Sequence, residues 1–390
     1  MALELLERLN PWWWGGEDPH VKRWRGQEYR WMPGWIKKLS VKPFSRNFVM
    51  GPRLVGKTTG IKLFIKSLLG HVKPEKILYI SCEVFPNYML LAKALSGYLE
   101  EEGRGNEVAY IFLDEATALR EWWKAVKSLI DAGLAENAVI TVTGSSALKV
   151  QRDVELFPGR RGYGVTLEVM PLSFPEYVKI HGLEKPRLHV GEVRRLFAKY
   201  LETGGFPPSI NSQPVEEILS AYIGEIVRHG RSLEIAREVV SALISSAPSP
   251  VSYRALASKT SGYSYKVVQS YLELFQGLYL LGAAYLREGE KVWYRREKKF
   301  FFRDPLLLNL FSAWTGTSCL DSAVYEHVIQ EYVYRKYGEV YYYRDAYEID
   351  VVADNLKVEV KAGKPHRRYP RRVKVVDEEQ IPFFLLELSS

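Results

Sequence analysis

The stretch that most constrains the fold is residues 51–58, Gly-Pro-Arg-Leu-Val-Gly-Lys-Thr, which follows a short apolar run at 48–50. It fits the pattern G-x-x-x-x-G-K-[ST] at every position, between a predicted strand and a predicted helix at 57–69. Such a turn points successive backbone N–H groups into a concavity, and the helix N-terminus adds partial positive charge. The sequence therefore predicts a polyphosphate-binding loop.

Each residue type in this loop has an expected role. Gly56 allows close approach of the backbone, Lys57 reaches the β- and γ-phosphates, and the Thr58 hydroxyl binds Mg²⁺. The predicted ligands are ATP or ADP with Mg²⁺. The residues expected to contact the nucleotide are Gly51, Pro52, Arg53, Leu54, Val55, Gly56, Lys57, Thr58 and Thr59.

A second motif supplies the acids that such a loop needs. The apolar run 108–113 predicts a buried strand, and Asp114 and Glu115 follow it directly. We expect Asp114 to orient Mg²⁺ and Glu115 to polarise the attacking water. This pairing is typical of nucleotide-hydrolysing enzymes.

Residues 47–185 alternate between strand and helix patterns, which predicts a parallel sheet covered on both faces. Strands are predicted at 47–50, 76–82, 108–113, 138–143 and 164–169. Helices are predicted at 57–69, 88–101 and 120–134. In this α/β class the ligand binds at the carboxyl ends of the strands.

Two further positions have open interpretations. Ser145, at the end of the fourth strand, either hydrogen-bonds the γ-phosphate or the attacking water, or simply forms a strand-to-helix turn. Arg160, in the turn 159–162, either neutralises transition-state charge in cis or toward a neighbouring subunit, or belongs to a solvated basic loop.

Length, charge and cysteine content limit the number of domains, the class of partner and the cellular location. The chain has 390 residues, a net charge of +8 and two cysteines without metal-ligand spacing. These values permit several domains and a polyanion partner, and they indicate a reducing, cytoplasmic location. No apolar run reaches the ~20 residues that cross a bilayer, so no membrane association is expected.

The N-terminal segment contains three consecutive tryptophans at 12–14, which cannot all face one core. Two interpretations remain open for residues 1–46. The segment either lies on the nucleotide-binding domain, or brings an aromatic side chain to the adenine base.

An ordered set of motifs gives the chain a family resemblance. After Asn-Pro-Trp-Trp near the start come the loop at 51–59, Phe-Leu-Asp-Glu, Thr-Gly-Ser-Ser, a Gly-Arg turn, Met-Pro-Leu-Ser-Phe-Pro-Glu at 170–176 and Gly-Gly-Phe-Pro at 204–207. This set resembles the archaeal and bacterial AAA-type ATPases with a C-terminal domain of unknown function. The resemblance implies an ASCE-type P-loop core and a helical lid, for which we read the helices of 186–246.

Residues 247–303 read as helix, turn, helix and β-hairpin, the winged-helix arrangement. Lys266 and Gln269 on the second helix are candidate DNA contacts. The wing and its exit carry five further basic residues, Lys291, Arg295, Arg296, Lys298 and Lys299. The same module can instead serve only for packing.

Residues 304–390 read as a small α+β, restriction-endonuclease-like domain. Asp350, followed by Glu359 and Lys361, fits the PD-(D/E)xK pattern, with Glu326 as an upstream acid. Strand alternation puts Glu359 and Lys361 on one face, where carboxylates can hold Mg²⁺ and the lysine can steady a water. Residues 373–376 and 383–388 read as further strands. The domain is either an active nuclease or an interaction module.

Two function classes follow. One is an ATP-driven enzyme acting on DNA, in which the C-terminal carboxylates cut the substrate. The other is a nucleotide-dependent switch that binds a protein partner and has an inactive nuclease-like domain. A homo-oligomer is compatible with both.

Overall fold

The computed structural model describes residues 2–102, 107–145, 161–345, 347–363, 370 and 372–388. It divides into two compact units, Met1–Met170 and Pro171–Ser390. In the described part of the chain, no helix is long and apolar enough to cross a membrane.

A five-stranded, all-parallel sheet organises the first unit, in the order β2-β3-β4-β1-β5. Four of its strands are almost wholly buried, as expected for a parallel sheet covered on both faces. The strands are β1 (Ser45–Met50), β2 (Ile77–Ser81), β3 (Ala109–Asp114), β4 (Ala138–Gly144) and β5 (Thr166–Glu168).

The described helices of this unit include two near the N-terminus and three between the strands. They are α1 (Ala2–Leu9), α2 (Pro19–Arg25), α3 (Lys57–Leu68), α4 (Tyr88–Glu102) and α5 (Trp122–Asp131). All five predicted strands and all three predicted helices of the core are confirmed, with ends that differ by three residues or fewer.

The N-terminal segment lies along the edge strand β2. The Asn10 side chain accepts a hydrogen bond from the Tyr79 N–H at 2.6 Å and donates to the Tyr79 carbonyl at 2.9 Å. The indoles of Trp12 and Trp13 both donate to the Ile77 carbonyl, whereas Trp14 is 73% exposed. These contacts satisfy backbone groups that an edge strand would otherwise leave open. These contacts favour the packing interpretation; the adenine contact stays a prediction.

The second unit begins with helices. They are α6 (Phe174–Ile180), α7 (Val190–Thr203), α8 (Pro207–Ile210), α9 (Glu216–Arg228), α10 (Leu233–Ile244), α11 (Tyr253–Ala257), α12 (Tyr265–Gly277), α13 (Pro305–Thr315), α14 (Asp321–Tyr337) and α15 (Ile381–Leu388). Helix α13 packs against α7, α9 and α10.

A six-stranded mixed sheet forms the rest of this unit, in the order β11-β10-β9-β8-β6-β7. Its strands are β6 (Leu281–Glu288), β7 (Lys291–Phe302), β8 (Tyr341–Arg344), β9 (Glu348–Ala353), β10 (Leu356–Lys361) and β11 (Lys374–Asp377). Strand β6 pairs in parallel with β8 at Tyr285–Tyr341 and Leu286–Tyr342. The predicted wing hairpin and the predicted nuclease-like strands therefore belong to one sheet.

One secondary-structure prediction was wrong. Residues 383–388 were predicted as a strand but lie in helix α15. This segment is apolar on nearly every side and its core side chains are buried, so periodicity could not separate strand from helix. The helix follows a turn in which the Asp377 carboxylate accepts the Gln380 N–H, and Pro382 lies in its first turn.

Replacing Asn10 by Ala should lower the free energy of unfolding of the first unit by about 2 kcal/mol, since two buried hydrogen bonds to Tyr79 are lost. Urea unfolding followed by circular dichroism measures this change. The exposed Trp14→Ala is the control and should change stability by less than about 0.5 kcal/mol. Equal effects of the two variants would contradict the edge-strand role of Asn10.

Candidate nucleotide site and carboxylate cluster

The loop between β1 and α3 depends on its two glycines. Gly56 adopts φ 86° immediately before α3, a conformation that side chains disfavour. A Cβ on Gly51 would lie 1.9 Å from the Val169 carbonyl oxygen, so a larger residue cannot fit there. The local sequence thus fixes the tight turn that exposes the N–H groups at the start of α3.

Lys57 is buried inside this turn. Its ammonium donates to the carbonyls of Gly51 at 2.9 Å and Pro52 at 2.8 Å, and lies 3.5 Å from a Glu115 carboxylate oxygen. Burial lowers the pKa of Lys57, while the nearby Glu115 and Asp114 act in the opposite direction. The lysine is therefore held at the loop, with both acids close to it.

Asp114 accepts hydrogen bonds from three hydroxyl groups of the site. Its Oδ2 accepts hydrogen bonds from the Thr58 hydroxyl and the Tyr79 hydroxyl, both at 2.7 Å, and its Oδ1 accepts one from the Thr143 hydroxyl. Tyr79 and Thr143 come from the strands on either side of β3. Sequence reasoning missed both residues. Their positions near the ends of the flanking strands were the available signal.

The donor set of this site fits a magnesium ion. Mg²⁺ prefers hydroxyl and carboxylate oxygens. The predicted metal residues Thr58 and Asp114 are brought into direct contact beside the turn of glycines and Lys57. Residues of these types at this place can hold a nucleotide phosphate together with the metal.

Glu115 and Ser145 lie near the same edge of the sheet. The Glu115 N–H donates to the Thr143 hydroxyl at 2.9 Å, and its backbone adopts a positive φ of 48°. Ser145 is buried, and its N–H donates to the Thr117 hydroxyl at 3.3 Å. Arg160 lies outside the described residues, as does Ser146.

The second unit contains a buried carboxylate cluster whose partner was not foreseen. The Lys299 ammonium lies 2.9 Å from Glu326, 2.9 Å from Asp350 and 2.7 Å from Glu348. The prediction that Lys298 and Lys299 make the wing exit basic was wrong, because their exposed fractions are 8% and 2%.

Strand β7 explains why Lys299 turns inward. The strand continues well beyond the hairpin turn, from Lys291 to Phe302. Alternation puts Lys299 on the same face as Phe301, whose ring packs against Tyr334 of α14. Glu326 lies on that same helix. Because Lys299 lies in a run of basic residues, nothing in the sequence indicated that this position is buried.

The remaining predicted residues of this site form a separate pair. The Lys361 ammonium lies 2.6 Å from a Glu359 oxygen, so the two side chains share a face of β10. Asp350 contacts this strand through its Oδ2, which accepts the Val360 N–H at 3.0 Å. Among the side chains described here, no group of three His, Cys, Asp or Glu residues is arranged to hold a metal ion.

The predicted DNA-contact residues other than Lys298 and Lys299 reach the surface. Lys266 on α12 and three residues of β7, Lys291, Arg295 and Arg296, are exposed. Gln269 is half-buried and donates to Glu273 at 2.8 Å. Glu288, Glu290 and Glu297 are exposed on the same hairpin and offset part of its positive charge.

Comparison with known proteins supports the class of the first site. A family model described as an AAA domain matches residues 45–178, which include all five strands of the parallel sheet. A curated relative, an uncharacterised protein of Methanocaldococcus jannaschii, is 24% identical over 192 residues. The match covers 44% of this chain and 42% of the relative, so the chain spans less than half of that protein's length.

Two solved structures give weaker likenesses. The ORC2 protein of Aeropyrum pernix, in ADPNP-ADP complexes, is 13% identical, with 71% of this chain and 90% of that chain covered and a TM-score of 0.39. The ORC1 protein of the same organism, in complex with DNA, is 14% identical, with 75% and 91% covered and a TM-score of 0.35. TM-scores this low do not establish a shared fold.

The loop, the acid beside it and the family match together define the class: residues 45–178 form an AAA-type P-loop domain. The resemblance that the sequence motifs indicated is confirmed for this domain. For the winged-helix and nuclease-like segments it stays a prediction.

Replacing Lys57 by Ala should weaken ATP binding by about 3 kcal/mol, roughly a hundredfold in Kd, because the charged donor at the loop is lost. Isothermal titration calorimetry measures this. Lys66→Ala, an exposed lysine on the same helix, is the matched control and should bind ATP normally. Unchanged affinity in the Lys57 variant would refute the assigned role.

Proposed function

We propose that the chain binds and hydrolyses ATP at the loop of residues 51–59. The observation that carries this proposal is the contact of the Thr58 hydroxyl with Asp114 beside the buried Lys57. When bound, Mg²⁺ neutralises charge on the phosphate oxygens. The chain's own contribution is to hold the phosphates with loop N–H groups and Lys57, and to orient Asp114 through three hydroxyl donors.

Glu115 is the proposed base. It is adjacent to Asp114 in sequence, and its N–H bond to Thr143 fixes its backbone at the carboxyl edge of the sheet. Its carboxylate lies near Lys57, hence near the phosphate end of the loop. In this position it can accept a proton from a water that attacks the terminal phosphate. Ser145 and Arg160 are kept as proposed auxiliary residues.

Replacing Glu115 by Gln should lower kcat for ATP hydrolysis by about a hundredfold or more, because the proton acceptor is removed while the phosphate contacts remain. ATP binding should persist, so that ATP is trapped. Single-turnover hydrolysis and filter binding measure the two quantities. The exposed Glu136→Gln is the control. If turnover survived in the Glu115 variant, the base would have to be sought elsewhere.

We further propose that ATP turnover is coupled to DNA through α12 and the β6–β7 hairpin. The support is the exposed basic set of Lys266, Lys291, Arg295 and Arg296, with the exposed Tyr294 between them. Such side chains can neutralise phosphates without reading sequence. The helix–helix–hairpin order is that of a winged helix, and an antiparallel bridge joins Val251, just before α11, to Lys298 of the hairpin.

Replacing Arg295 and Arg296 together by Ala should weaken DNA binding and lower the magnitude of the salt dependence by about two ions. Fluorescence anisotropy at several salt concentrations measures this. Lys37→Ala with Lys38→Ala, a pair of exposed lysines in the first unit, is the matched control. A salt slope that the hairpin variant leaves unchanged would count against DNA contact at this surface.

The second candidate function is a nucleotide-dependent switch that binds a protein partner. It is favoured by the pairing of β6 with β8, which makes the hairpin part of a packed sheet, and by the burial of Lys298 and Lys299. ATP turnover that DNA does not stimulate, with nucleotide-dependent self-association, would favour the switch. We also propose that the chain is divided into five segments, 1–46, 47–185, 186–246, 247–303 and 304–390, the third of which is the helical lid. A homo-oligomer and a cytoplasmic location are further parts of the proposal.

A further inference from the structure

The carboxylate cluster of the second unit raises the question of which cation it holds. Its sequence pattern, Glu326, Asp350, Glu359 and Lys361, predicts Mg²⁺. We infer instead that the Lys299 ammonium is the resident cation of this cluster, so that the unmodified chain has no divalent-metal site there and performs no metal-dependent DNA cleavage through it.

The Lys299 ammonium is surrounded by acidic acceptors. An ammonium has three N–H donors, and Lys299 lies within 2.9 Å of three different carboxylates, those of Glu326, Glu348 and Asp350. The contacts to Glu326 and Asp350 are hydrogen bonds, and the contact to Glu348 is an ion pair. With 2% of the side chain exposed, Lys299 can neither leave the cluster nor serve as a catalytic lysine that reaches a substrate phosphate.

The oxygens that a metal would need already accept hydrogen bonds. Asp350 Oδ1 accepts from Lys299 at 2.9 Å, and Asp350 Oδ2 accepts the Val360 N–H at 3.0 Å. Glu326 Oε1 accepts from both Lys299 and Gln330 at 2.9 Å. Mg²⁺ requires contacts of about 2.0–2.1 Å to such oxygens. It would have to share these oxygens with their present donors and lie beside a like charge.

The Lys299 ammonium also opposes a second cation through its charge. The ammonium places a positive charge between the acidic side chains of Glu326, Glu348 and Asp350. Burial alone would lower the pKa of Lys299, but Glu326, Asp350 and Glu348 together raise it, so the ammonium stays charged. A divalent ion that bound these oxygens would be repelled by the ammonium.

The cluster also has a mechanical role. Lys299 belongs to β7, Glu326 to α14, and Glu348 and Asp350 to β9. One ammonium therefore ties the hairpin to the helix and to the centre of the sheet. Removing the lysine leaves the buried carboxylates of Glu326 and Asp350 without an opposite charge, which destabilises a fold strongly.

The test uses the full chain without nucleotide, and Mn²⁺ as the probe, so its result does not depend on ATP binding. Lys299→Met removes the ammonium and keeps the side-chain length. This variant should have a lower thermal midpoint, should bind about one Mn²⁺ per chain, and should regain several degrees on binding it. Adding Asp350→Asn should abolish that gain. The matched control is Lys298→Met, the neighbouring buried lysine on the other face of β7.

A second measurement decides the matter if Lys299→Met does not fold. Any Mn²⁺ binding by the unmodified chain should be unaffected by Asp350→Asn. The unmodified chain should also not nick plasmid DNA in Mg²⁺ or Mn²⁺. Mn²⁺ binding in the unmodified chain that depends on Asp350, or nicking that is lost in Lys361→Ala, would overturn the inference. Lys361 is partly exposed, so that variant is expected to fold.

Discussion

The hydrogen bonds that converge on Asp114 are the interaction on which the first unit depends. Strand β3 lies between β2 and β4, so hydroxyls from both neighbours reach one carboxylate, while Thr58 brings the start of α3 to the same oxygen. A buried carboxylate is costly unless its oxygens are satisfied, and here three donors satisfy them. The same bonds fix the direction in which the acid faces the loop. Stability and site geometry therefore come from one set of contacts.

The N-terminal segment extends this dependence to the edge of the sheet. Asn10, Trp12 and Trp13 bind the backbone of β2, the strand that carries Tyr79. Tyr79 in turn donates to Asp114. A segment that sequence inspection would treat as peripheral thus supports, through one strand, the hydroxyl that orients the central acid. Its tryptophans contribute through their polar N–H groups as well as through apolar area.

Much of the fold was readable from the sequence because its signals were local. The loop at 51–58 and the run before Asp114 each specify a strand end, and continuous apolar strands in a parallel sheet differ clearly from the amphipathic helices between them. The contacts of Tyr79, Thr143 and Lys299 were not readable, because they depend on which strands become neighbours. Lys299 stood in a run of basic residues whose composition indicated solvent, while its place in β7 turned it inward. The prediction for residues 383–388 was wrong for the opposite reason, because an apolar segment without periodicity fits a strand and a helix equally well.

The parallel pairing of β6 with β8 has an implication for how such a chain can be divided. A fragment cut at residue 304, where sequence patterns alone would separate a nuclease-like module, would carry an open sheet edge on β8 and an anionic hole where Lys299 had been. Residues 304–390 are therefore not expected to fold by themselves, because their sheet and their acid cluster include the hairpin upstream. A fragment that keeps β8 paired and the acid cluster next to Lys299 has to begin upstream of β6.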